Sequence, residues 1–300
     1  MRMVDVRAAS ALATVQPSNV STSGNIGAAK WSINQTESKP AASAQSVRST
    51  MSSKLMRNCG KYKPNHGRAT KADVSVGAMI RAVVFDFDGL IFDSEGPLFT
   101  AWQEAFAAYG CSPLTVEEWS AEIGTVGVLD IVGLFRRRAT RTVDINEMQQ
   151  RRRARVAELL ALEGVQPGVH AWLDEADALG YPCAVASSSE ISWVEPRLEQ
   201  LGLRSRFVHV VCRSETIAAK PAPDSYLAAC AALGVEPHEA LAIEDSPHGV
   251  TAAKCAGLAC VAVPHAITEQ LDLSHADLCV DSLADVTLTQ TLANLRQAGS

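Results

Sequence analysis

No stretch of the chain stays apolar for anything near the ~20 residues that a bilayer-crossing helix needs, and the N-terminus lacks the apolar core of a secretory signal. A soluble, cytoplasmic protein with no membrane partner is therefore expected. Metal-type Cys-x-x-Cys spacing is also missing among the eight cysteines, and several sit in apolar segments such as Pro182-Cys-Ala-Val-Ala186. They are read as reduced core residues, which excludes a disulfide scaffold or a zinc ribbon. Acids are scarce in residues 1–78, where eleven Lys/Arg face three Asp/Glu for a net of +8. Since the whole chain of 300 residues carries −6, residues 79–300 carry −14. A body that acidic lacks the clustered positive charge that phosphate backbones require, so nucleic acid is excluded as a partner. It suits an enzyme that recruits divalent cations.

Residues 1–78 also lack sustained periodicity of either 3.6 or 2.0 and are rich in Ser, Thr, Asn, Ala and Lys/Arg. Such a segment cannot bury enough apolar area to offset its ordering entropy, and disorder is expected. Two readings of it stay open. One is a plastid or mitochondrial transit peptide; the other is an extension upstream of the true start, because Met79-Ile-Arg leads directly into the first strand.

What is present begins with Ala82–Phe85, a short apolar run of the kind that a strand buried on both faces requires, ending abruptly in Asp86 and Asp88 with Gly89 just after. Two like charges so close are costly unless a cation or a shared proton relieves them. Next, Ser94 can cap a helix in which Leu98, Trp102, Phe106 and Tyr109 share a face up to Gly110. Thr115-Val-Glu-Glu has the pattern of a capping box and predicts a helix to about Ile123, broken by Gly124-Thr-Val-Gly127. Helical spacing returns over Val128–Arg138 and from Ile145 to about Leu162. The basic runs Arg136–Arg138 and Arg151–Arg155 read as a solvated helix face.

From Gly168 onward, amphipathic helices alternate with apolar strands at Pro182–Ala186, Phe207–Cys212, Ala240–Ile243, Ala259–Val263 and near Leu278. Pro196 either kinks its helix or marks the start. The alternation argues an α/β fold, a doubly wound, Rossmann-like parallel sheet, with an all-helical cap at residues 94–165 inserted into a core of residues 79–93 and 166–300. Four polar groups then fall just beyond strand ends: Asp86/Asp88, Ser187, Lys220 and Glu244/Asp245. In an open parallel sheet this is the ligand-binding edge.

The motifs Asp86-Phe-Asp-Gly-Leu-Ile-Phe-Asp-Ser-Glu95, Ala184-Val-Ala-Ser-Ser-Ser189, Lys220-Pro-Ala-Pro-Asp224 and Ile243-Glu-Asp-Ser246 together resemble the haloacid dehalogenase-like hydrolase superfamily, in its phosphatase and phosphoglucomutase-like branch. The resemblance covers residues 79 to about 270. It implies that Asp86 attacks phosphorus to form an aspartyl-phosphate, and that Asp88 serves as general acid and then base. It implies that Ser187 and Lys220 hold the phosphoryl group, with Ser188 beside them. It also implies Mg²⁺ bound by Asp86, the main-chain carbonyl of Asp88 and Asp245, with Glu244 in a supporting or direct role.

Gly124, Thr125 and the first cap helix are the candidates for contact with the rest of a small phosphorylated metabolite. Asp88 argues against carbon–halogen cleavage, and the absence of Lys between Ser94 and Glu163 argues against a Schiff-base phosphonate hydrolase. The competitor is a β-phosphoglucomutase-like mutase, which carries a His where Leu98 stands and an Arg shortly after the cap-loop glycine. A non-catalytic binding module is the remaining alternative. A monomer or small homo-oligomer is expected.

Overall fold

The computed structural model describes residues 80–298, so the expectation for residues 1–78 lies outside the described residues. Six strands form one parallel sheet: β1 (Ala82–Phe85), β2 (Cys183–Glu190), β3 (His209–Arg213), β4 (Ala240–Glu244), β5 (Ala259–Ala262) and β6 (Leu278–Cys279). Their order is β3-β2-β1-β4-β5-β6, which places the topological switch between β1 and β4. Phe85 is in register with Val185 on one side and Ile243 on the other. The register therefore brings Asp86 abreast of Glu244 at the carboxyl edge.

Between β1 and β2 the chain forms α1 (Glu95–Ala108), α2 (Val116–Trp119), α3 (Ile131–Arg138) and α4 (Ile145–Leu160). Their buried side chains, among them Phe99, Trp102, Phe106, Leu114, Ile123, Phe135 and Met148, make a hydrophobic cluster separate from those on the sheet. Phe135 is its centre, with the Phe106 and Tyr109 rings edge-on at 5.3 and 5.5 Å. This is the inserted helical cap.

After the cap come α5 (Val169–Leu179), α6 (Ile191–Gln200), α7 (Asp224–Leu233), α8 (Pro247–Ala256) and α9 (Leu288–Ala298). The two faces of the sheet differ in bulk. One buries Val83, Phe85, Val185, Leu241, Ile243 and Val261 under α5, α6 and α9. The other presents Ala82, Val84, Ala184, Ala186, Ala240, Ala242, Cys260 and Ala262 to α7 and α8. Pleated strands alternate faces, so this division is written directly in the order of large and small residues along β1, β2 and β4.

Several expectations need adjustment. The capping box at Thr115 forms, with Glu118 N–H donating to Thr115 Oγ1 at 3.2 Å and Thr115 N–H to Glu118 Oε2 at 3.1 Å. The helix it opens ends at Trp119, however, and the chain reaches Thr125 through tight turns closed by Glu122 N–H on Trp119 O at 2.9 Å and Thr125 N–H on Glu122 O at 3.1 Å. Ser94 occupies the cap position of α1 but caps nothing; its hydroxyl goes to Asp88. Pro196 lies inside α6, at the sixth residue, so it is not the start. The strand expected to end at Ala186 runs on through the serines to Glu190. Cys111, Cys183, Cys212, Cys230, Cys260 and Cys279 carry free thiols, all buried except Cys279; Cys255 departs from the expectation and is disulfide-bonded. Among the described residues no helix is long and apolar enough to cross a membrane.

Candidate active site

Asp86 follows β1 directly and is held by its main chain, with its N–H donating to Ile243 O at 2.9 Å. Its carboxylate accepts from Lys220 Nζ, which also donates to Glu244 Oε1 at 2.6 Å. Lys220 is 1% exposed and reaches the site from the loop between β3 and α7. Glu244, wholly buried, has each oxygen engaged twice. Oε1 accepts from Lys220 and from Tyr226 Oη at 2.6 Å, and Oε2 accepts from Asp245 N–H at 3.2 Å and Ser246 Oγ at 3.3 Å. The first turn of α8 settles onto this carboxylate, and a Cβ at Gly249 would stand 1.9 Å from Glu244 Oε2.

The electrostatics of this centre are unbalanced. Burial alone would lower the pKa of Lys220, but the charges of Asp86 and Glu244 overcome it and hold the ammonium above its ordinary range. Burial pushes the Asp86 carboxyl well up against the pull of Lys220, and Glu244, Asp245 and Asp88 push the same way. Two buried carboxylates thus share one lysine, and a third, Asp245, lies beside them. Oxygens of Asp86, Glu244 and Asp245 all lie within 4.8 Å of one another, and Asp245 Oδ1 is buried without a hydrogen-bond partner. An all-oxygen donor set with excess negative charge fits a hard divalent cation.

Asp88 follows on a tight turn in which Gly89 N–H donates to Phe92 O at 2.8 Å. Gly89 has φ of +85°, and a Cβ there would meet Asp245 Oδ2 at 2.3 Å, so only glycine lets this turn close over Asp245. The Asp88 carboxylate accepts from Ser94 Oγ (2.7 Å), Ser187 Oγ (3.3 Å), Ser189 Oγ (2.6 Å) and Trp193 Nε1 (2.8 Å). Ser188 faces elsewhere. It accepts from Lys220 N–H at 3.1 Å and donates to the cap carbonyl of Gly124 at 2.9 Å.

A cavity of about 330 Å³ opens over Asp86 and Asp88 between sheet and cap. Ser188, Ser189 and Trp193 wall it on the core side, and Glu95, Leu98, Trp119, Glu122, Gly124, Thr125 and Val126 on the cap side. Gly124 is seated on the core, where a Cβ would lie 2.1 Å from Ser246 Oγ. Glu122 is a loop anchor; its two oxygens accept the amides of Gly127 (2.6 Å), Val128 (2.9 Å) and Leu129 (2.8 Å). Burial, then Asp88 and Asp245, raises the Glu95 carboxyl to about 8, and Trp119 Nε1 donates to it at 3.2 Å.

Of the residues singled out in the sequence, Asp86, Lys220, Glu244 and Asp245 converge on one point, and Asp88, Ser188, Gly124 and Thr125 line the cavity beside it. Ser187 does not line it but braces Asp88 from behind. The basic runs stay outside this cavity, with Arg138 paired to Glu118, Arg151 to Glu147 at 2.6 Å and Arg155 to Glu104 at 2.9 Å. Sequence reasoning assigned nothing to Glu95, Ser189, Trp193, Tyr226 or His265. Glu95 and Ser189 stood inside quoted motifs, whereas the other three join the site only through tertiary contacts.

A family model described as haloacid dehalogenase-like hydrolase matches residues 80–257. The chain is 38% identical over 217 residues to YhcW of Bacillus subtilis (strain 168), covering 72% of this chain and 98% of that one. It is 31% identical to a phosphoglycolate phosphatase of Chromobacterium violaceum, covering 69% and 95% of the two chains. Among solved structures, CbbY from Rhodobacter sphaeroides in complex with phosphate is similar with a TM-score of 0.55 at 30% identity, over 71% of this chain and 99% of that one. The chain belongs to the haloacid dehalogenase-like hydrolase family, on its phosphatase and phosphoglucomutase-like branch.

Proposed function

We propose that the protein is a Mg²⁺-dependent phosphatase that hydrolyses a small phosphorylated metabolite, a sugar phosphate or related monoester, through an aspartyl-phosphate on Asp86. The carrying observation is the cavity wall. Two carboxylates stand at its floor beside a buried lysine, and the cap adds Glu95, Glu122 and apolar or small groups but no cation. A phosphoryl group is served at the floor; a second phosphate on the cap side would find no cation to pair with.

Asp86 attacks phosphorus as its carboxylate, the form that Lys220 favours against burial, and Lys220 offsets the charge gathering on the transferring oxygens. Asp88 enters the first step protonated and gives that proton to the leaving oxygen; as the carboxylate that accepts the four hydrogen bonds described above, it then takes one from the water that cleaves the acyl phosphate. Asp86, Asp245 and the Asp88 carbonyl would hold Mg²⁺, which would supply the neutralisation that lets a carboxylate approach an anionic phosphate. Glu244, with both oxygens already engaged, supports these groups by fixing Lys220. The cap, residues 94–165, excludes competing water and carries specificity at Gly124, Thr125 and Glu95.

A mutase must grip the distal phosphate of its bisphosphate intermediate while that intermediate turns. Leu98, Glu95 and Glu122 cannot do so, which favours water as the acceptor. With Mg²⁺ and a panel of sugar phosphates, inorganic phosphate is expected to appear as fast as substrate disappears. Conversion of β-glucose 1-phosphate to glucose 6-phosphate faster than phosphate release would overturn this reading.

A further inference from the structure

His265 lies beyond the segment that the family model matches, in the loop after β5. Its Nε2 is 3.0 Å from Asp245 Oδ2, and its ring is largely buried. The direction of that hydrogen bond is set from the other side of the ring. His265 Nδ1 accepts the main-chain N–H of Ile267 at 3.4 Å, so the neutral ring carries its proton on Nε2 and donates it to Asp245. The ring is fixed in turn by its own main chain, since His265 N–H donates to Thr268 Oγ1 at 2.9 Å and Glu269 N–H to His265 O at 2.8 Å. The Gly89 turn closes against this pair, because a Cβ there would lie 2.3 Å from Asp245 Oδ2 and 3.0 Å from His265 Nε2.

The two oxygens of Asp245 are thereby made unequal. Oδ2 is occupied by His265, while Oδ1 is buried with no partner, in a carboxylate that belongs to the cluster with Asp86 and Glu244. We propose that His265 is a positioning residue: it locks the rotation of the Asp245 carboxylate so that Oδ1 alone is presented to the divalent cation. The inference rests on the cation-binding reading above. A ligand carboxylate left free to turn loses orientation and gains competing hydrogen-bond choices, and removing such an outer partner weakens metal affinity by about 10–100-fold.

The test is isothermal titration of the full chain with Mg²⁺ and Mn²⁺, alongside turnover of p-nitrophenyl phosphate at rising Mg²⁺. His265→Ala is expected to raise both cation Kd values about 10–100-fold, with kcat at saturating Mg²⁺ within about threefold of wild type. His265→Gln, whose amide N–H₂ reaches the place of Nε2, should recover most of the affinity, and His265→Asn, one bond shorter, should not. If the alanine variant fails to fold, the Gln and Asn pair makes the same comparison. Wild-type affinity in His265→Ala, or equal affinities for Gln and Asn, would overturn the positioning role. A wild-type chain that binds neither ion would instead remove the cation site itself, so the two failures are distinguishable.

Discussion

Replacing Lys220 by Met removes the one ammonium between two buried carboxylates and keeps the length of the side chain. Lys220 is 1% exposed, Glu244 0% and Asp86 5%, so water cannot take over the lost pairing. Removing one partner from a buried ion pair costs about 3–5 kcal/mol. For a domain of this size, each kcal/mol lowers Tm by about 2–4 °C, so a fall of roughly 6–20 °C is expected without metal at pH 7.5. The loss should shrink in acid. Burial and its carboxylate neighbours raise the Asp86 pKa, and Lys220 is what lowers it. In the variant the folded-state pKa climbs further above the unfolded value. A group raised in this way adds stability below its unfolded pKa and loses it as pH rises through the folded pKa. Melting curves of Lys220→Met at pH 5.5 and 7.5 should therefore converge on wild type at the lower pH.

Mg²⁺ at a hundredfold excess over the variant's own Kd should stabilise the variant by about 2.7 kcal/mol relative to its metal-free state, since a cation relieves the same repulsion. Adding Glu244→Gln should also recover stability, because the amide can keep partners in Tyr226 and Ser246 without a charge. A Tm within 2 °C of wild type at pH 7.5 without metal would refute this account of the centre.

Asp86→Asn is expected to abolish turnover with the fold intact, and more than a few per cent of activity in protein free of deamidation would remove Asp86 from the nucleophile's role. Glu95→Gln tests the raised carboxyl on the cap wall. With the Glu95 pKa near 8 in the fold, wild-type stability without metal should decline as pH rises through that value, and the glutamine variant should show a flatter Tm profile between pH 6 and 9. Gly124→Ala would bring a Cβ to 2.1 Å from Ser246 Oγ at a φ of +74°, so the cap loop must lift; a rise in KM of at least about tenfold is expected from steady-state kinetics.

The parts of this fold legible in the sequence are those set by local pattern. β1 and β4 are unbroken apolar runs that end in carboxylates, and their parallel pairing, with Phe85 opposite Ile243, leaves Asp86 and Glu244 side by side. Capping chemistry marked where α2 begins but not where it stops, because after Trp119 the chain turns on main-chain bonds that no side-chain pattern announces, and the Glu122 carboxylate gathers three amides further along. Ser94 was legible as a cap by type alone, yet Asp88, six residues back, competes for its hydroxyl and wins. The helix α9 carries apolar residues at Leu288, Leu292 and Leu295, a readable spacing that the strand and helix alternation does not itself call for. Tyr226 and His265 could not be read at all. Their hydrogen bonds span 18 and 20 residues, and no motif ties them to Glu244 or Asp245.

The hydroxyl of Ser188 has one proton, and in this structure it is given to Gly124 on the cap while the oxygen accepts the amide of Lys220. A phosphoryl oxygen arriving in the cavity cannot receive that proton until the cap loop gives it up. Cap position, the loop that carries the lysine and the serine's availability as a donor are thus tied together at a single atom, and seating the phosphate through Ser188 and keeping this latch fastened are mutually exclusive.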